Sequence, residues 1–157
     1  MRNNDILRRV RYIFDYSDSK MVALFALADL EVSREVISAW LKKEEDEDYA
    51  NCPDVKLATF LNGLINDKRG KKEGAKPVVE KRLTNNIVLR KLKIALDLKN
   101  NDVLEILALV DFDLSKHELT ALFRKAGHKN FRVCKDQVLR NFLMGLQLKY
   151  RNTDESE

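Results

Sequence analysis

The stretch Cys52-Pro53-Asp54-Val55-Lys56-Leu57-Ala58-Thr59-Phe60-Leu61-Asn62-Gly63-Leu64 returns 82 residues later as Cys134-Lys135-Asp136-Gln137-Val138-Leu139-Arg140-Asn141-Phe142-Leu143-Met144-Gly145-Leu146. At that offset Asn3 to Arg69 lies on Asn85 to Arg151 without a gap, and 19 of the 67 aligned pairs are identical. Self-similarity at a fixed period marks a duplicated structural unit. Two copies make a pair rather than a solenoid array. The reading is therefore two repeats, residues 1–69 and 83–151, separated by a basic linker at 70–82 and followed by a polar tail at 152–157.

Within each repeat the apolar residues recur at helical spacing. Ile6, Leu7, Val10, Ile13 and Phe14 form one stripe, repeated by Val88, Leu89, Leu92, Ala95 and Leu96. Met21, Val22, Leu24, Phe25 and Ala28 are almost continuous, as are Val103, Leu104, Ile106, Leu107 and Val110, which places a helix buried on several sides at the centre of each unit. Asn3-Asn4 reads as a cap for the first helix, Ser17-Asp18-Ser19 for the second, and Ser33 and Ser115 for the third. The third helix turns Val36, Ile37, Trp40 and Leu41 inward. In the fourth, Pro53 suits the first helical position, Asp54 faces the positive end of the dipole, and Leu57, Phe60, Leu61 and Leu64 make the stripe. Gly63 and Gly145 each cost about 1 kcal/mol in a helix interior. Close approach of a neighbouring helix explains them, and their matched positions point to a meeting of the two copies. The expected architecture is all-α, two four-helix repeats related by pseudo-twofold symmetry.

Composition agrees: 45% hydrophobic and 34% charged residues with 5 Gly and 2 Pro describe a soluble, helix-rich chain. A unit of this size alone is marginal, so packing of the copies on each other, or a homodimer, is expected. No membrane-length apolar run exists and the polar start Met1-Arg2-Asn3-Asn4-Asp5 lacks a signal pattern, so the expected location is cytoplasmic. There Cys52 and Cys134 serve as small apolar or capping residues rather than a disulfide.

Charge is uneven. Residues 1–69 hold 11 basic and 13 acidic side chains, a net of −2, whereas 83–157 hold 13 and 10, a net of +3. After the third helix the first copy runs Lys42-Lys43-Glu44-Glu45-Asp46-Glu47-Asp48-Tyr49 and the second Arg124-Lys125-Ala126-Gly127-His128-Lys129-Asn130-Phe131. Opposite signs at one position read either as two solvated loops or as complementary contact surfaces.

Catalytic chemistry finds little support. His117 and His128 are matched by Glu35 and Asp46, no metal-ligand spacing appears, and no phosphate-cradling glycine loop exists. Neither an enzyme, a metal nor a cofactor is expected. Arg8, Arg11, Arg90 and Lys93, off the first-helix stripe, form a candidate anion-binding face. Ala26 to Leu41 resembles a helix-turn-helix. Val32, Ile37 and Trp40 are its buried positions, and Arg34, Glu35, Ser38 and Lys42 its exposed ones. Lys116, His117, Thr120 and Arg124 are the second-copy equivalents. Against it, the turn position that favours glycine holds Glu31 and Asp113, and acidic neighbours oppose phosphate.

Asn3-Asn4-Asp5-Ile6-Leu7-Arg8, Cys52-Pro53-Asp54 with Phe60-Leu61-Asn62-Gly63-Leu64, and His128-Lys129-Asn130-Phe131-Arg132 with Asp136-Gln137 resemble the YehS-like family, small bacterial proteins with a tandem domain of unknown function. The resemblance covers essentially the whole chain. It implies a two-copy bacterial protein and transfers no activity, cofactor or catalytic residue. A non-catalytic adaptor with a protein partner is the leading expectation; a helix-turn-helix regulator of DNA or RNA is the alternative.

Overall fold

The computed structural model describes residues 1–71 and 77–151. Among these the chain forms eight α-helices and no strand. It divides into two compact units, Met1–Leu83 and Thr84–Glu157. The first holds α1 (Asn3–Phe14), α2 (Asp18–Leu27), α3 (Arg34–Leu41) and α4 (Asp54–Arg69). The second holds α5 (Asn85–Ala95), α6 (Asn100–Ala108), α7 (Lys116–Leu122) and α8 (Asp136–Tyr150). Two tandem four-helix repeats are thus present. The basic linker and polar tail read from the sequence fall partly or wholly on 72–76 and 152–157, outside the described residues.

In the first unit α2 packs on α4 and α3, and α1 closes against α3 and α4. Phe25 of α2 is the hub: its ring lies 5.4 Å from that of Phe60 and 5.8 Å from that of Trp40. Burying rings of this size contributes about 2–3 kcal/mol each. The second unit repeats the scheme, with α6 on α8 and α7, and Phe142 and Leu107 wholly buried.

Gly63 and Gly145 explain how close the central helices come. A Cβ on Gly63 would overlap the Leu24 carbonyl of α2, and one on Gly145 the Ile106 carbonyl of α6. The close approach that these glycines serve is thus made by the neighbouring helix of their own unit. Bare Cα positions are what let two helix backbones approach.

Local chemistry sets the helix ends. Ser17, Ser33, Thr84 and Ser115 accept from Lys20, Val36, Ile87 and Glu118 backbone N–H groups at 3.0–3.2 Å. Ser115 is reciprocated by Glu118, which accepts from the Ser115 N–H at 3.1 Å. That bond holds the Glu118 carboxyl below its ordinary range. Asn3 and Asn4 are not caps: Arg2 occupies the N-cap and both asparagines lie inside α1. Pro53, with φ −65°, is likewise the N-cap of α4 rather than its first residue. Val36 is 42% exposed and Leu41 half-buried, so the fully buried residues of α3 are Ile37 and Trp40. The left-handed residues are Asp15, Asp29, Asp97 and Asp111, with φ of 52°, 63°, 53° and 56°, two matched pairs at the 82-residue offset. The strained positions of the α2–α3 and α6–α7 turns are thus Asp29 and Asp111, not Glu31 and Asp113. Aspartate tolerates this region better than most side chains.

Candidate functional site

The two repeats share one polar device. Asn4 of α1 is buried, and its amide donates 2.8 Å bonds to the Trp40 and Ala50 carbonyls while its Oδ1 accepts from the Cys52 N–H at 3.1 Å. Asn86 makes the same three bonds to Leu122, Arg132 and Cys134 at 3.0, 2.8 and 2.9 Å. Beside them Asn3 reaches the Cys52 carbonyl and the Asp54 carboxylate, and Asn85 the Cys134 carbonyl and Asp136. The first helix of each unit thereby ties down both ends of the connection between the third and fourth helices. Asn4 lies three residues before Leu7, on the apolar side of the stripe. A polar residue kept there in both copies was the signal for a buried clamp.

The connection has one backbone path in both units. Ala50 N–H bonds the Ala39 carbonyl and Arg132 N–H the Ala121 carbonyl, both at 3.1 Å. Turns closed by Asp46 and Tyr49 in the first unit are closed by His128 and Phe131 in the second. At the tip, Asp48 N–H donates to Asp46 Oδ1 and Asn130 N–H to His128 Nδ1, each at 2.9 Å. An imidazole nitrogen replaces a carboxylate oxygen in the same turn.

The side chains on that path differ in sign. In the first unit Glu44 pairs with Arg2 at 2.8 Å and Asp48 with Lys42 at 3.7 Å. Arg2, Asp5, Arg8, Lys43, Glu44 and Tyr49 help line an open cleft of ≈ 250 Å³. In the second unit the positions of Arg2 and Asp5 hold Thr84 and Ile87, and those of Glu44 and Glu45 hold Ala126 and Gly127.

The four residues proposed as an anion-binding face all have partners inside their own unit. Arg8 donates to the Lys42 carbonyl at 2.8 Å and pairs with Asp5; Arg90 donates to the Phe123 carbonyl at 3.0 Å. Both thereby cap the C-terminal end of the third helix, where a cation suits the dipole. Arg11 bonds the Tyr16 carbonyl and pairs with Asp18 at 3.3 Å, and Lys93 lies 4.6 Å from the Phe123 ring centroid.

The helix-turn-helix candidates sit on the short third helices or, for Lys42 and Arg124, just past their C-terminal ends. Arg34 and Ser38 are exposed one turn apart, with Arg34 bonded to Ser19, while Lys42 is half-buried. Lys116 is exposed; Thr120 returns its hydroxyl to the Lys116 carbonyl at 2.8 Å; Arg124 is half-buried with its Nε unbonded. Ile37 and Trp40 are buried as expected, and six residues separate α2 from α3.

Cys52 and Cys134 are buried, and burial pushes their thiols up to about 12 and about 11; the Asp54 charge adds to the first. Such thiols are poor nucleophiles. Among the described residues no group of histidine, cysteine, aspartate and glutamate is placed to hold a metal ion, and no helix is long and apolar enough to cross a membrane.

A family described as a protein of unknown function, DUF1456, matches this chain twice, at residues 3–70 and 85–152. The chain belongs to the DUF1456 family. Each DUF1456 match begins at Asn3 or Asn85 and so takes in a whole clamp. The chain is also 50% identical over 147 residues to the uncharacterized protein YehS of Escherichia coli (strain K12), covering 93% of this chain and 94% of that one. No solved structure matches.

Proposed function

We propose that this DUF1456 protein is a non-catalytic binding module of the cytoplasm that recognises a protein partner. The observation behind this reading is the connection after the third helix, whose backbone hydrogen bonds are the same in both repeats while its charge reverses. A fixed path bearing divergent exposed side chains is how a scaffold presents recognition residues. The polar groups of the frame support the same reading, since the clamp asparagines, the capping serines and Arg8 and Arg90 are occupied holding backbone together. Cross-linking in bacterial lysate followed by mass spectrometry tests it. Discrete cross-links from lysines 42–56 or 116–135 to the same protein across several salt concentrations are expected; none above background would overturn it.

A second reading, a helix-turn-helix contact with DNA or RNA, is favoured by the exposed Arg34 and Ser38, and the exposed Lys116, over a buried Ile37 and Leu119. It requires anisotropy of labelled duplexes that falls steeply with salt and is lost on Arg34→Glu or Lys116→Glu. No binding at low salt would remove it.

A further inference from the structure

We propose that the connection between α7 and α8, residues 124–135, is the docking strip for an acidic peptide segment that carries an apolar anchor. The inference rests on the protein-binding reading above and names the surface and the chemistry of the partner.

The strip contains Arg124, Lys125, Lys129, Arg132 and Lys135 and no acidic residue. Lys125, Lys129, Arg132 and Lys135 are exposed, and no described carboxylate forms an ion pair with them. The first unit handles charge on this path differently. There Arg2 and Lys42 neutralise Glu44 and Asp48 from within the same unit. In the second unit the matched neighbours are Thr84, Ile87 and Arg90, none of them acidic. Three of the acids that the second unit carries are committed to helix ends and the clamp: Asp102 accepts from the Lys99 N–H, Glu118 from Ser115, and Asp136 from Asn85. Residues 84–151 hold 13 basic and 7 acidic side chains, a net of +6. Like charges crowded on a fixed path repel one another, and a bound anion relieves that repulsion.

An apolar group stands near the end of the strip, between Arg132 and Lys135. Val133 is 70% exposed between Arg132 and the buried Cys134, at the position that Asn51 holds in the first unit. Phosphate offers nothing to such a side chain. A peptide with carboxylates on either side of an apolar residue satisfies both features, following the usual anatomy of an anchor ringed by polar contacts. The clamp holds the strip in one conformation before binding, which lowers the ordering cost of association.

The test is selection from a random-peptide display library on the full-length protein, followed by anisotropy titrations of the enriched peptides. Expected are acidic peptides with an apolar residue, binding more weakly as salt rises. K125E/K129E/R132E should weaken them by about 100-fold and V133S by about tenfold, with circular dichroism unchanged. The same reversal made in the first unit at Glu44 and Glu47 should leave them unaffected. Enriched peptides that are not acidic, or that ignore both variants, would overturn the strip while leaving the protein-binding reading standing. No enrichment at all would count against both. A mixed-sequence DNA duplex that binds with the same sensitivity to the triple variant, where acidic peptides do not bind, would reassign the strip to nucleic acid.

Discussion

The interiors of the two units bury largely the same positions, whereas their third-to-fourth connections agree only in backbone. Phe60 and Phe142, Leu24 and Ile106, Gly63 and Gly145 occupy matched places, and Asn4 and Asn86 bond matched atoms. Yet Glu44 to Asp48 face Ala126 to Asn130 across the same turns. Packing fixes which positions must be filled by apolar groups, and the two close-packed interiors fill them differently, with Leu107 and Leu122 where Phe25 and Trp40 stand. A solvated turn accepts any side chain that leaves its backbone bonds intact. The difference separates what the fold demands from what it leaves free.

The comparison can be broken first at its matched core rings. Phe60→Ala and Phe142→Ala should each cost about 4 kcal/mol in urea unfolding; a loss in one unit only would show that the two rings are not equivalent. Next, Asn4→Ala and Asn86→Ala each strand one buried and one partly buried carbonyl and a buried N–H, and the expected cost is about 3 kcal/mol. A neutral result at either would mean that water replaces the clamp. Gly63→Ala and Gly145→Ala should follow at about 2 kcal/mol through forced separation of the central helices, the former being the larger.

Alkaline pH should erode stability more gently. Both thiols have folded values raised above the ordinary 9.0, to about 12 for Cys52 and about 11 for Cys134, so the folded state keeps protons that the unfolded chain releases. Their contribution is intact below pH 9 and is lost as pH rises through 11 to 12. Cys52→Ala should flatten the fall seen by denaturant titration. The smallest effect should come from exchanging residues 43–49 with 125–131, which is expected to change stability by no more than about 0.5 kcal/mol. A larger loss would show that the loop charges, and not only the backbone turns, hold the connection.

Much of this frame was legible in the sequence because burial and helix starts leave periodic and chemical marks. The stripes, the capping serines and the duplication needed only spacing. The asparagines are harder to read, because an Asn before an apolar run is more often a cap than a buried donor, and only the three-residue step from Asn4 to Leu7 distinguishes the two. The glycines were legible as sites of close approach but not as to which helix approaches, since sequence offsets carry no distance. Asp29 was passed over for Glu31 because the turn is longer than the helix-turn-helix template. The surface was least legible: the charge reversal was plain, but that one backbone carries both signs is a hydrogen-bond fact.

Because the clamp fixes Trp40, Ala50 and Cys52 in one unit, and Leu122, Arg132 and Cys134 in the other, each span between is moored at its base. Foreign segments spliced between Lys43 and Tyr49, or between Lys125 and Phe131, would be held by both ends without a disulfide. The molecule thus offers two independent grafting positions on one small, cysteine-inert chassis, a use that follows from two buried amides.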